Sequence, residues 1–150
     1  MVSYSHTQPA KLIRNVFLPA ILLLPLPLLF IKPSMSEVIT LIVVQLVLVL
    51  ALLVFHSLTV TVNEESVHLR MGIGLIKTSF PLAEITNAYP VRNKWYFGWG
   101  IRLMDNGYMY NVSGLDAVEL VLNSGAIHRI GTDEPDSLAL AINNARQARA

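Results

Sequence analysis

The sequence has no cysteine and little charge, and both absences narrow the kinds of protein it can be. Without Cys the chain cannot form a disulfide or a zinc–thiolate site and cannot use a cysteine nucleophile. The absence of Cys does not indicate the redox compartment, because it is compatible with either side of a membrane. Only 14% of the 150 residues are charged, whereas 53% are hydrophobic. Because soluble domains carry about 25% charged residues, part of this chain is expected to lie in a membrane.

The hydrophobic excess lies before residue 57, and its longest part is residues 38–55, which contain no charged side chain. As a helix rising about 1.5 Å per residue, this run would measure roughly 27 Å, close to the ~30 Å hydrocarbon core of a bilayer. It therefore predicts a transmembrane helix. The alternative is the buried core helix of a soluble protein, but 150 residues can hardly surround a second long apolar stretch as well.

A first apolar stretch covers residues 16–31, and extended at its start it predicts a span over residues 12–31. Arg14 and Lys32 would then reach the two opposite membrane interfaces. Two alternatives stay open, a cleaved signal peptide and a re-entrant hairpin. Three prolines, each of which removes a backbone donor and disturbs a helix, interrupt the stretch: Pro19, Pro25 and Pro27.

Basic residues predict how the two spans are oriented. Lys11 and Arg14 precede the first span, whereas the connecting loop at residues 32–37 holds one positive residue. Cytoplasmic segments of membrane proteins carry an excess of Lys and Arg. We therefore expect residues 1–11 to be a cytoplasmic tail and residues 12–56 to be a helical hairpin. After two crossings, residues 57–150 return to the cytoplasm.

Residues 57–150 are typical of β-structure that ends in one helix. Apolar and polar residues alternate on both sides of the turn at residues 63–66, which predicts a hairpin. Apolar spacing of three and four residues then predicts a helix that begins near Thr132 or Asp133 and ends near Gln147. The fold class is therefore α+β and mainly β, with the helix covering one open end of a bent sandwich. The predicted strands cover residues 58–62, 67–71, 75–80, 85–91, 99–104, 108–112, 117–122 and 126–130.

Three sequence runs, together with two apolar spans and a meander of strands, resemble small bacterial membrane proteins with a PH-like domain. The runs are GWGIR at residues 98–102, YNVSGLDAVE at 110–119 and IGTDEP at 130–135. The resemblance implies an antiparallel PH-like β-barrel over residues 57–150, capped by a C-terminal helix, in a multi-pass protein of the bacterial cytoplasmic (inner) membrane. It implies no catalytic activity.

This chain departs from lipid-binding PH domains in the first hairpin loop. Such domains typically carry basic residues there, whereas this chain has Glu64 and Glu65. Two carboxylates would repel the phosphorylated head group of a phosphoinositide.

The densest chemical feature is residues 92–99, in which two cations are followed by four aromatic residues. Trp and Tyr favour the head-group region of membranes and also anchor protein interfaces, while Arg and Lys meet anionic lipid. The alternative is that Trp95, Phe97 and Trp99 alternate into the barrel core while the cations are solvated. The predicted interaction surface consists of Arg92, Lys94, Trp95, Tyr96 and Trp99.

No arrangement of residues points to catalysis, a metal or a cofactor. The four histidines lie in different segments without metal-ligand spacing, and the glycines form no phosphate-binding loop. Asp116 and Glu119 would lie on opposite faces of a regular strand, so they are not a catalytic pair. Residues 57–150 carry eight Lys or Arg against nine Asp or Glu, which gives no basic field for nucleic acid. We therefore expect a protein that is not an enzyme and needs no cofactor.

Two functions compete. The first is a membrane-anchored interaction module that binds a protein, a peptide or the adjacent lipid surface at the cytoplasmic face. The second is an accessory subunit of a membrane transport or envelope-processing complex, in which Gln45 and the prolines contact other membrane helices. The lipid bilayer is a partner in both.

Overall fold

A computed structural model of the chain describes residues 2–149, which form an α+β fold with two apolar helices, two sheets and a final helix. Short 3₁₀ turns occur at Leu26–Leu29, Leu82–Glu84 and Trp95–Phe97. In chain order the elements are β1 (Val2–Pro9), α1 (Lys11–Leu23), α2 (Met35–Phe55), β2 (Ser57–Asn63), β3 (Ser66–Met71), β4 (Ile76–Pro81), β5 (Ile85–Arg92), β6 (Gly100–Met104), β7 (Gly107–Asn111), β8 (Asp116–Leu122), β9 (Ile127–Gly131) and α3 (Pro135–Gln147).

Helices α1 and α2 form an antiparallel pair with an apolar outer surface. The candidate spans are Lys11–Leu29 and Met35–Phe55, each long and apolar enough to cross a membrane. Within the described chain neither α1 nor α2 contains a buried residue, and most of their Val, Leu and Ile side chains are exposed. Soluble proteins rarely expose so large an apolar surface, and this surface indicates membrane association.

Pro25 ends α1 and leaves one backbone carbonyl without its helical donor. Leu24 N–H donates to Ala20 O (3.0 Å), but Pro25 has no N–H to give to Ile21 O. Gln45 of α2 supplies the missing donor, because its Nε2 lies 2.9 Å from Ile21 O. The Gln45 amide therefore donates to Ile21 O the hydrogen bond that Pro25 cannot donate.

The segment expected to be a tail instead contributes a strand to the first sheet. β1 pairs with β2 in antiparallel register, with Thr7 opposite Thr59 and their hydroxyl oxygens 2.9 Å apart. At the end of this pair, Ala10 N–H donates to His56 O (2.8 Å). Sequence reasoning does not find β1, because its partner β2 comes only after both apolar helices.

Two sheets follow rather than one barrel. The first has the order β1-β2-β3-β4, and the second has the order β5-β8-β9-β7-β6, with β7 and β9 parallel. The predicted hairpin is confirmed, since Leu58 lies opposite Met71 and Val62 opposite Val67. The expected antiparallel β-barrel is not closed: within residues 2–149 the strands form two separate sheets, each with open edges. The 3₁₀ turn Leu82–Glu84 carries the chain from β4 to the second sheet, where β5 pairs with β8.

The core lies between the sheets, and α3 covers one end of it. Leu138 and Ile142 of α3 are fully buried, and Asn143 Nδ2 donates to Ala88 O of β5 (2.8 Å). The predicted C-terminal helix is confirmed, but its N-cap is Glu134 rather than Thr132 or Asp133. The Thr132 hydroxyl accepts a hydrogen bond from Glu134 N–H (3.1 Å), so Thr132 still stabilises the start of the helix.

Candidate functional site

The end of the sheets next to α1 and α2 is held to the helices by backbone hydrogen bonds. Gly72 N–H donates to Ser57 O (2.8 Å), and Ile73 N–H donates to Leu53 O in the last turn of α2 (3.1 Å). Gly72 has a φ of +47°, and a Cβ there would lie 2.1 Å from Leu53 O, so only glycine fits. We call this end the junction face; it comprises the start of α1 at residues 11–14, the β3–β4 turn with its flanking residues at 70–77, and the segment at residues 92–103.

The predicted aromatic surface lies on the junction face, outside the core. Trp95, Tyr96 and Trp99 are 77%, 55% and 41% exposed, and the first two belong to the 3₁₀ turn Trp95–Phe97. Lys94 Nζ lies 5.7 Å from the centre of the Tyr96 ring, within range of a cation–π contact. The alternative of an aromatic row buried in a barrel core is not what the structure has, because the chain turns here instead of running as a strand.

Beside this segment, a groove of about 750 Å³ separates the start of α1 from the edge strand β6. Trp99 closes one end, where its indole Nε1 donates to Gly114 O (3.3 Å). Among the described residues that line the groove, Arg102 alone carries a charge. Sequence reasoning did not single out Arg102, because the groove forms between a helix and a strand that lie far apart in the sequence. The remaining walls are Leu12, Ile13, Val16, Phe17, Ala51, Phe55, Gly100, Ile101 and Leu103.

Cations outnumber carboxylates on the junction face, where Asp116 lies beside Arg92, whereas several carboxylates occupy the turns at the opposite end of the strands. Arg92 lies 3.5 Å from Asp116, but the other junction-face cations form no ion pair with a described residue. The far end also has Arg149, which donates to the backbone carbonyls of Glu64 and Glu65. The junction face therefore carries unpaired positive charge. Its cations are Lys11, Arg14, Arg70, Lys77, Arg92, Lys94 and Arg102, and the far-end carboxylates are Glu64, Glu65, Glu84 and Asp105.

A buried polar network holds the start of the aromatic segment against the second sheet. Arg129 of β9 donates through Nε to Glu119 Oε2 (2.7 Å) and through Nη1 to Asn93 Oδ1 (3.2 Å). The Tyr89 hydroxyl donates to the other oxygen of Glu119, and this hydrogen bond raises the pKa of Tyr89. Sequence reasoning missed the network, although Glu119 and Arg129 are paired positions of the β8–β9 hairpin and could have been found from its register.

His6 and His128 have different surroundings. His6 Nε2 lies 2.7 Å from Asp133 Oδ1, whereas the His128 ring packs 4.7 Å from the Phe80 ring, centre to centre. Burial lowers the pKa of His128, whose Nδ1 accepts a hydrogen bond from Tyr108 N–H (3.2 Å). Within residues 2–149, no three His, Asp or Glu side chains converge on a position for a metal ion.

The structure thus brings all five predicted surface residues to one end of the domain and adds Arg102 and the groove beside them. In comparisons with known proteins, no family model, curated protein or solved structure matches this chain. Its function is therefore inferred from the geometry and charge of the junction face.

Proposed function

We propose that this chain is a membrane-anchored, non-enzymatic interaction module with a PH-like domain at the cytoplasmic face of a bacterial inner membrane. The observation that carries the proposal is the direct connection of the sheet to the apolar helices. Only Ala10 separates β1 from α1, and only His56 separates α2 from β2. Because no flexible linker joins the domain to the helices, the domain keeps one orientation relative to the bilayer. Its exposed aromatic and basic side chains then lie at the depth of the lipid head groups.

A chain that crosses the membrane twice, through α1 and α2, is compatible with the pairing of β1 and β2. Because these strands belong to one sheet, both ends of the helical pair lie on the same side of the membrane. A cleaved signal peptide would remove β1 together with α1 and leave β2 with an open edge. The cations on the junction face favour the cytoplasmic side, which is the side where Lys and Arg accumulate in membrane proteins.

The competing function, an accessory subunit acting through its membrane helices, relies on polar groups that face other helices. Gln45 is the strongest such group, yet its amide nitrogen is already bonded to Ile21 O. The same hydrogen bond compensates for Pro25, which has no N–H to donate to Ile21 O. Both residues have a role inside the helical pair, which favours the interaction module.

Topology is tested by cysteine labelling, for which the cysteine-free native chain is the background. Ser36 and Ser124 are both exposed, the first in the opening turn of α2 and the second in the β8–β9 turn. We expect Ser36→Cys to react with a membrane-impermeant thiol reagent in intact cells. Ser124→Cys should react only after the membrane is permeabilised. Reaction of Ser124→Cys in intact cells would put the domain outside and refute the proposed orientation.

The depth of the junction face is tested with the two tryptophans, which both lie on it. We expect phospholipids brominated along their acyl chains to quench the tryptophan fluorescence of the reconstituted protein, because Trp favours the membrane interface. Water-soluble acrylamide serves as the comparison. Strong quenching by acrylamide and none by the brominated lipid would show that the junction face points away from the bilayer.

A further inference from the structure

The β3–β4 turn at residues 72–75 presents two apolar side chains beside the last turn of α2. Ile73 and Leu75 are 54% and 66% exposed. Ile73 N–H donates to Leu53 O (3.1 Å), two residues before α2 ends at Phe55, so the turn lies at the depth of the end of the second candidate span. A helix of 21 residues is about as long as the hydrocarbon core is thick. In the proposed orientation, the two apolar side chains therefore lie where head groups give way to hydrocarbon.

Two cations from neighbouring strands lie beside this turn. Arg70 of β3 and Lys77 of β4 are directly opposite each other in the antiparallel register. Both side chains reach over Gly74, where a Cβ would lie 3.2 Å from Arg70 Cδ and 3.1 Å from Lys77 Cε. Neither cation forms an ion pair with a described residue. The fold therefore holds two unpaired positive groups together next to the apolar tip of the turn.

This pair of like charges needs an explanation, because like charges directly opposite each other destabilise a sheet. A lysine on an edge strand discourages pairing between molecules, and Lys77 lies on β4, at an edge of the first sheet. That role does not require Arg70, which lies on the interior strand β3. An anion between the two side chains would offset their repulsion.

The surroundings of the pair supply hydrogen-bond donors and no described carboxylate. A shallow depression of about 570 Å³ contains both cations on the outer face of the first sheet. Thr59 lies opposite Arg70, and His68 and Ser79 form the next opposite pair. Hydroxyl groups donate to phosphate oxygens, and a guanidinium can bind two such oxygens at once. The described residues that line the depression are Thr59, Thr61, His68, Leu69, Arg70, Lys77, Thr78 and Ser79.

Resting on the proposed membrane orientation, we propose that the β3–β4 turn binds an acidic phospholipid of the adjacent leaflet. Arg70 and Lys77 hold its phosphate, the hydroxyl-lined depression accepts its head group, and Ile73 and Leu75 contact its acyl chains. A zwitterionic lipid would bring a cation of its own to two unpaired cations, so the site favours a lipid with net negative charge.

The test uses the full chain in nanodiscs that contain equal amounts of phosphatidylcholine and phosphatidylglycerol. Lipids that stay bound after release from the disc are identified by native mass spectrometry. We expect phosphatidylglycerol to be retained in preference to phosphatidylcholine. The double variant Arg70→Gln, Lys77→Gln should reduce its retention roughly tenfold, because both charged contacts to the phosphate are lost. The double variant Arg146→Gln, Arg149→Gln is the matched control, since it removes the same charge at the far end of the domain, and it should leave retention unchanged.

Thermal unfolding separates a lost lipid contact from a folding defect. In nanodiscs of phosphatidylcholine alone, the Arg70→Gln, Lys77→Gln variant should be no less stable than the native chain, because the like-charge repulsion is gone. Phosphatidylglycerol should raise the Tm of the native chain, since it binds the folded state, and should raise that of the variant less. A variant that is less stable than the native chain in phosphatidylcholine alone would contradict the argument from repulsion.

Equal retention of the two lipids, or retention of phosphatidylglycerol that the Arg70→Gln, Lys77→Gln variant leaves unchanged, would overturn the proposal. Leu75→Ser should also lower retention, because it removes an acyl-chain contact and keeps both cations. Unchanged retention in Leu75→Ser would show that the cations act without the turn entering the leaflet, which would overturn the proposed seat of the lipid. The cysteine-labelling result separates these outcomes from a failure of the proposed function. A correct topology without lipid preference refutes only the lipid site.

Discussion

Replacing Gly72 by alanine should loosen the joint between the apolar helices and the first sheet. An L-residue in the left-handed region costs about 1–2 kcal/mol. The new Cβ would also lie 2.1 Å from Leu53 O and 2.4 Å from Val54 O, so the β3–β4 turn must move. That movement breaks the hydrogen bonds from Gly72 N–H and Ile73 N–H, each worth about 0.5–1.5 kcal/mol. The expected loss of unfolding free energy is about 2–5 kcal/mol.

Thermal unfolding of the full chain in detergent, followed by tryptophan fluorescence and circular dichroism, measures this loss. At roughly 2–4 °C per kcal/mol for a chain of this size, Gly72→Ala should lower the Tm by on the order of 10 °C. Gly125→Ala is the control, because Gly125 has a φ of +81° but, apart from its two chain neighbours, no described residue has an atom within 4 Å of its Cβ position. This control should lose only the free energy that an L-residue costs in the left-handed region, about 1–2 kcal/mol. Equal losses in the two variants would refute the role of the Leu53 and Val54 carbonyls.

Two other predictions concern the helical pair and the core. Gln45→Leu should destabilise the helical pair by about 1 kcal/mol, because Ile21 O loses its donor. In a Pro25→Ala background the loss should shrink, since the alanine restores the helical N–H; an equal loss in both backgrounds, measured by thermal unfolding in detergent, refutes the assignment. His128 has a lowered pKa in the folded state, so the unfolded chain binds protons more readily and stability should fall from about pH 7.5 to about pH 5.5. His128→Asn should weaken this pH dependence of the Tm, and an unchanged slope would contradict the burial argument.

Features set by neighbouring residues were predictable from the sequence. The turn after β2 is an example, because Asn63 Oδ1 accepts hydrogen bonds from Glu65 N–H (2.9 Å) and Ser66 N–H (2.7 Å), using only local geometry. The candidate spans and the C-terminal helix likewise follow from runs and spacings within one segment. The exposed aromatic segment was predicted, but the sequence left a buried strand open as the alternative, since the alternation of Trp95, Phe97 and Trp99 also fits a strand.

Features that join distant segments escaped prediction. β1 has its partner about 50 residues later, and the parallel pairing of β7 with β9 leaves no mark in either strand. The bond between Gln45 and Ile21 depends on which faces of α1 and α2 meet. Nothing in the sequence distinguishes Arg102 from other strand residues, because the position of β6 at a sheet edge beside α1 depends on the tertiary fold. In each case the deciding contact is tertiary, and periodicity carries no information about it.

The pairing of β1 with β2 also has a consequence for biogenesis. In the proposed topology β1 is synthesised before either span, and its partner emerges only after both, so the β1–β2 pair cannot form until both helices have been made. A chain that inserts a single helix leaves β1 and β2 on opposite sides of the bilayer, and β2 then exposes an open edge of unpaired N–H and C=O groups. Such an edge exposes the misinserted chain to chaperones and proteases, whereas a completed sheet requires that β1 and β2 lie on the same side of the bilayer.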